Sequence, residues 1–197
     1  MMKFELAIAL TLSILFPMRA FEESHIDYTH KGNEYSVIHY DEDKINPDED
    51  MRLFLSRIDR FEPFIRRCAE SYSVPENLVK SVIFYESSGL SNSSSNNSSA
   101  KGLMQLLDNT THEISQELGF GWDFDILDPK TNVLFGTYYL SKMVARYGDY
   151  RTAILAYAIG QGGVDSFNED ELLSSSYSNR YVNNVMKMYY RLNSISG

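Results

Sequence analysis

Residues 82–107 read VIFYESSGLSNSSSNNSSAKGLMQLL, and the contrast within them decides the fold. An apolar run ends on one carboxylic acid, Glu86; a Ser/Asn tract follows; a second apolar run carries Gln105. Leu78, Val82 and Glu86 recur at i, i+4 and i+8, with Val79 and Ile83 seven and three residues before the acid. That period is helical and turns Glu86 toward the side that buries the leucine and the valines. The C-terminal end of a helix, where the acid would sit, carries partial negative charge that disfavours a carboxylate. Desolvation adds to this, so the sequence predicts a Glu86 carboxyl titrating above its ordinary ~4.3, as a general acid working near neutral pH needs. Periodicity alone leaves a second reading open, an ordinary surface glutamate at a fraying helix end.

Helical signals continue on both sides of this stretch. Arg52 to Tyr72 is amphipathic, with Pro63 as a candidate break. Ser73 with Glu76 makes a capping-box pattern before the helix of Glu86, and Pro75 stands near its first turn. The pattern recurs as Thr110 with Glu113, with Gly119 as the stop. Asp128-Pro129 opens a helix that closes at Gly148, Asp149 caps one ending at Gly160, and Ser178 caps a last helix through Leu192. The Ser/Asn run from Ser91 to Ser99 contains nothing apolar and is predicted to stay out of the core. With no convincing strand pair, the fold class expected from about Met51 onward is all-α.

The length of 197 residues suits one domain with extensions, and 43% hydrophobic and 13% aromatic residues argue for a folded chain over a disordered one. Residues 1–20, MMKFELAIALTLSILFPMRA, combine an early lysine, an apolar run from Ala7 to Phe16 and a terminal alanine, which reads as a secretory signal peptide. The apolar run is too short to span a bilayer. Residues 21–50 hold ten acids and two lysines, whereas residues 51–197 hold 16 acids and 14 basic residues, so the acidity belongs to an N-terminal extension. Such a run argues against nucleic acid as a partner and reads as a solvated tail, with a protein partner in the cell envelope as its functional alternative. Cys68 is the only cysteine, stands among Phe64, Ile65 and Ala69, and is read as a small core residue, not a nucleophile. His25, His30, His39 and His112 lack metal-ligand spacing, so neither a metal nor a cofactor is expected.

Four motifs in one order then carry a resemblance. They are Tyr85-Glu86-Ser87; Gly102-Leu103-Met104-Gln105-Leu106 followed by Thr110; Asp128, Pro129, Asn132, Gly136, Tyr139 and Leu140 along one helix; and Ala156-Tyr157-Ala158-Ile159-Gly160 with Val164. A Tyr181-Val182 pair follows. In this register the chain from about Arg60 to Leu192 resembles the catalytic domain of the soluble lytic transglycosylases, the goose-lysozyme-like cleavers of peptidoglycan. The resemblance implies a lysozyme-like helical domain over residues 51–197 behind the signal peptide and the acidic extension, acting as an exported monomer, periplasmic or secreted. It implies Glu86 as the single catalytic acid, cleaving the bond between MurNAc and GlcNAc with closure of a 1,6-anhydro ring.

Substrate-binding roles carried over by the same match fall on Gln105, Tyr157, Tyr181, Ser87 and Met104. The two tyrosine hydroxyls are expected to point at Glu86 and the saccharide, and Met104 is expected to lie beneath the groove. Each role has a structural counterpart: aromatic core for the tyrosines, and for Ser87 a hydroxyl bonded to backbone at a helix end. Gln105 sits in an apolar run, where a polar side chain costs free energy unless it finds a partner. The sequence departs from the family pattern at Ala158 and Ile159 in place of Asn and Ala, at Asp108 in place of Pro, at Tyr177 and Ser178 in place of Glu-Thr, and at Leu90 in place of an aromatic. Its Ser/Asn loop is longer, so that either Ser95 or Asn96 takes the place of a sugar-contacting serine. Two other functions stay open at this point: a muramidase in which Asp108 or another acid activates water, Asp108 being otherwise a helix cap, and a wall-binding scaffold without catalysis.

Overall fold

The structure is a computed structural model and describes residues 47–93, 99–166 and 176–195. Among these, every regular element is helical: α1 Pro47–Ile58, a 3-10 turn Asp59–Phe61, α2 Glu62–Ser71, α3 Glu76–Ser87, α4 Asp108–Glu117, α5 Pro129–Tyr147, α6 Tyr150–Ile159, the short α7 Gln161–Asp165, and α8 Ser176–Ile195. The domain is all-α. The segment expected to be a signal peptide, the acidic extension up to residue 46 and the positions of Ser95 and Asn96 lie outside the described residues.

Helix α3 is the central element. Eight of its twelve residues are buried, from Leu78 to Ser87, so it is enclosed on nearly every side. Leu78, Val79, Val82 and Ile83 are completely buried, each contributing about 1.5–3 kcal/mol relative to exposure. The packed pairs α3–α8, α8–α6, α6–α5, α5–α2 and α2–α3 close a ring of helices around one core, and α4 leans on α5 from outside. Cys68 belongs to that core; burial pushes its thiol up to about 11 against the lowering charge of Arg67, which leaves it un-ionised and unreactive.

Several caps follow the sequence pattern. Asp128 Oδ2 accepts from the Thr131 amide at 2.8 Å, Asp149 Oδ1 accepts from the Thr152 amide at 2.9 Å, and Gly148 ends α5 at φ 75°. Others do not. Ser73 takes no part in capping α3: Pro75 is its N-cap residue, with no side-chain cap, and Ser73 turns the chain out of α2 at φ 55°. Glu76 reaches forward to Lys80 Nζ at 2.7 Å, so its carboxylate is not available to close a capping box. Likewise Thr110 lies inside α4, which opens at Asp108 behind Leu107 without a side-chain cap. The break attributed to Pro63 comes earlier, in the 3-10 turn, and Pro63 stands in the first turn of α2 where a missing N–H costs nothing. Helix α8 opens two residues before Ser178 and runs past Leu192 to Ile195. At the other end α1 takes in Asp48, Glu49 and Asp50 as its first turn, and Asp48 pairs with Arg191 of α8.

Candidate active site

Glu86 is the penultimate residue of α3 and is completely buried. Tyr181, near the start of α8, donates its hydroxyl to Glu86 Oε1 at 2.5 Å. Glu86 Oε2 is enclosed without a hydrogen-bond partner among the described residues. Burial pushes the carboxyl up to about 8, and the bond from Tyr181, which favours the ionised form, offsets only part of that rise. The inward-facing acid predicted from the helical period is therefore present, and at neutral pH it holds its proton. With Oε1 already accepting from a phenol, the proton belongs on Oε2, the oxygen without a partner among the described residues.

The turn leading into α4 is held beside this helix end by an unusual concentration of backbone bonds. Ser87 Oγ donates to the Leu103 carbonyl at 2.8 Å and lies 3.2 Å from the Ile83 carbonyl, while accepting from the Gly89 amide. Asn132, completely buried on α5, accepts from the Met104 amide at 2.7 Å and donates Nδ2 to the carbonyls of Lys101 and Ile126. Tyr157 of α6 donates its hydroxyl to the Met104 carbonyl at 2.7 Å. Both backbone groups of Met104 are thus fixed by side chains from different helices. Close approach explains the two glycines of the motifs. A Cβ at Gly102, which has φ 78°, would stand 2.3 Å from Asn132 Nδ2, and one at Gly136 would stand 2.3 Å from Met104 Sδ.

What this fixation delivers is Gln105. It adopts φ 46°, a left-handed conformation that costs a non-glycine residue about 1–2 kcal/mol. Its Nε2 donates to the Ser93 and Gly102 carbonyls at 3.1 and 2.8 Å, while Oε1 is buried without a partner among the described residues. A strained residue with an orphaned buried acceptor persists only where its surroundings impose it, and such residues gather at functional sites.

The structure therefore separates the expected site residues. Tyr181 meets Glu86. Tyr157 does not: its hydroxyl goes to the Met104 carbonyl, so it braces the turn, and burial followed by the Glu86 charge raises it well above the usual tyrosine range, keeping it a donor. Ser87 spends its hydroxyl on backbone, and Met104 is completely buried against Gly136. Asp108 does not cap α4. It forms an ion pair with Lys101 at 2.7 Å with its side chain 57% exposed. Ser93, read as part of a run outside the core, is buried, and its carbonyl accepts from both Gln105 and Gly102. Ala158 and Ile159, at the departures from the fourth motif, pack with Leu107 on buried Ala100. Asn132 was visible as a motif position, but its triple role depends on loops that periodicity does not describe. Among the described residues no three His, Cys, Asp or Glu side chains come together as a metal site would require.

Residues 63–188 match the family described as the Transglycosylase SLT domain. Over 100 residues, 48% of this chain, the sequence is 32% identical to membrane-bound lytic murein transglycosylase E of Buchnera aphidicola, and the match spans 45% of that relative's length. Two solved structures share the fold. One is an inactive glutamate-to-glutamine mutant of lytic transglycosylase Slt from Pseudomonas aeruginosa, with TM-score 0.65 and 23% identity over 76% of this chain and 26% of that one. The other is the 70-kDa soluble lytic transglycosylase in complex with bulgecin A, with TM-score 0.60 and 24% identity over 73% of this chain and 26% of that one. The matched span takes in nearly all of the chain from α2 to most of α8, and the chain belongs to the Transglycosylase SLT domain family.

Proposed function

We propose that this chain is a peptidoglycan lytic transglycosylase that cleaves the β-1,4 bond between MurNAc and GlcNAc and leaves a 1,6-anhydro-MurNAc end. The observation that carries the reading is a lone buried carboxyl, protonated at neutral pH, whose proton-bearing oxygen Oε2 has no protein partner among the described residues. Membership of the SLT family and the name of the Buchnera relative support the same chemistry.

Glu86 Oε2 gives its proton to the glycosidic oxygen as the bond to C1 of MurNAc breaks, and GlcNAc leaves with a 4-hydroxyl. The resulting carboxylate, still held by Tyr181, takes the proton of the MurNAc 6-hydroxyl while that oxygen bonds to C1. Glu86 ends protonated, and no water is consumed. Ordinary glycoside hydrolysis needs two carboxylates flanking the bond. Burial and the Tyr181 bond set the titration of Glu86, and no other carboxyl among the described residues is buried. A nucleophile within the substrate removes the need for one. Asp108, the candidate for activating water, is engaged by Lys101 at the surface.

Gln105 supplies an unpartnered amide oxygen for a sugar hydroxyl or acetamido N–H, and Tyr157 and Met104 hold it in place. The setting is the bacterial cell envelope, periplasmic or secreted, with residues 21–50 as the segment for a protein partner. Digestion of purified peptidoglycan followed by mass analysis of the muropeptides tests the reading. Ends lighter by one water than reducing ends are expected, and they vanish with Glu86→Gln; reducing ends from the unsubstituted protein would refute it.

A further inference from the structure

Three of the seven exposed large apolar side chains among the described residues crowd into one short loop between α4 and α5: Phe120, Trp122 and Leu127. Isolated apolar side chains at a surface need no explanation, but a cluster marks a contact site. Trp122 is the extreme case at 77% exposed. One face of its indole is covered: the His112 ring stacks on it at 4.0 Å between centroids and 20° between planes. The opposite face is left to solvent, flat and held in orientation. Gly119 and Gly121, at φ 75° and 62°, bend the chain just before the tryptophan. Phe120 packs edge-on against the buried Phe135, so the loop is anchored to the core while its apolar tip is presented outward. His112 Nδ1 is enclosed with no hydrogen-bond partner among the described residues, so the imidazole is held there by its stacking and not by a polar bond from that atom.

This loop is tied to the turn of Gln105. Asn132 Nδ2 donates at once to the carbonyl of Ile126, in the tryptophan loop, and to that of Lys101, in the Gln105 turn, at 3.1 and 2.8 Å. The two segments are therefore fixed to one side chain and keep a constant spacing. His112 stands one helical turn beyond Asp108, at the start of the helix that Gln105 leads into.

We propose that Trp122, stacked on His112, is a platform for a pyranose ring of the same glycan strand, at a sugar other than the two that flank the bond that is cut. The proposal rests on the glycan reading above. A hexopyranose has an apolar face of C–H bonds and a rim of hydroxyls. The exposed indole face receives the former, and the exposed carboxylates of Asp123 and Asp125, which follow in the same loop, are available for the latter, Asp125 also accepting from the Leu127 amide at 2.8 Å. The occupant is an N-acetylated aminosugar, the repeating unit of the strand. Such a contact binds substrate without touching the reacting atoms, and so it acts on strand affinity and not on the chemical step.

Trp122 is the chain's single tryptophan, so the protein carries its own probe. The experiment titrates the full chain, as Glu86→Gln to prevent turnover, with chitotetraose and with glycan strands stripped of stem peptides, following tryptophan fluorescence. A saturable change in emission is expected, with strands binding more tightly than the tetramer. In parallel, Trp122→Ala in the otherwise unsubstituted protein raises KM for strands about tenfold at unchanged kcat, and Trp122→Phe recovers part of the loss. Strand binding demonstrated by sedimentation with no change in emission, or a Trp122→Ala enzyme with unaltered KM, would overturn the platform. If the protein releases no anhydro ends but its tryptophan still reports sugar, the catalytic reading has failed and the platform stands. No emission change and no strand binding would overturn both.

Discussion

The hydroxyl of Tyr181 lies 2.5 Å from Oε1 of Glu86, a bond between residues 95 positions apart that fixes which oxygen of the acid carries the proton. A general acid needs its proton at the working pH, and burial supplies that by pushing the carboxyl up to about 8. Activity is therefore expected to fall as pH rises through about 8, measured as kcat/KM on peptidoglycan. Tyr181→Phe removes a bond that favours the ionised form, so the descending limb moves to higher pH while the rate at neutral pH drops roughly tenfold, the worth of one charge-assisted bond. A limb that stays in place in the phenylalanine variant would show that Tyr181 does not act on the acid.

The same burial weakens the fold. Unfolded, Glu86 titrates near its ordinary 4.5, whereas folded it keeps its proton up to about 8. Between these values the native state binds the extra proton, so the contribution of this group falls steadily as pH rises and is fully lost above about 8. Glu86→Gln escapes the penalty. Its melting temperature is expected to exceed that of the unsubstituted protein by several degrees at neutral pH, from a penalty on the order of 3 kcal/mol, with the gap closing toward pH 4.5. Thermal melts across pH decide the sign.

Met104 and Gly136 make a second pair that a single methyl disrupts. A Cβ at position 136 would stand 2.3 Å from Met104 Sδ and 2.8 Å from its Cβ, and the latter cannot swing aside. Gly136→Ala is expected to cost about 1–3 kcal/mol and to lower activity further than that loss explains, because Met104 carries Gln105 with it. Met104→Ala in the same chain restores part of the stability, which a denaturant titration of the double variant measures.

Gln105 separates stability from activity. Gln105→Gly relieves a strained φ of 46° and an orphaned acceptor, while it loses two donated bonds of about 1 kcal/mol each. These effects nearly cancel, so the variant is expected to melt within a few degrees of the unsubstituted protein and to lose at least about tenfold in kcat/KM. Equal activity would make Gln105 a structural residue only.

Much of this architecture was legible where the signal is local. The caps at Asp128 and Asp149 and the stop at Gly148 follow from a side chain and the amide it faces within a few residues, and the helical period turned Glu86 inward. Local patterns also misled: Ser73 with Glu76 has the spacing of a capping box, but Lys80 holds the glutamate elsewhere. Relationships across the ring of helices left no local trace. Nothing in the period of α3 names Tyr181, and nothing at Tyr157 distinguishes a hydroxyl aimed at the acid from one aimed at the Met104 carbonyl. The burial of Ser93 was hidden because its contribution is a carbonyl, which composition cannot register. Trp122 carried a signal that was available, a single tryptophan set behind two glycines, but its stacking on His112 is a tertiary fact.

On the proposed mechanism the substrate's own hydroxyl, and not water, closes the reaction on a single acid. Digestion of peptidoglycan in water enriched in heavy oxygen, with the muropeptides weighed afterward, tests this most directly. Anhydro ends that carry no solvent oxygen are expected from the unsubstituted protein and not from Glu86→Gln. One heavy oxygen at each newly cut end would contradict it and assign the protein to hydrolysis.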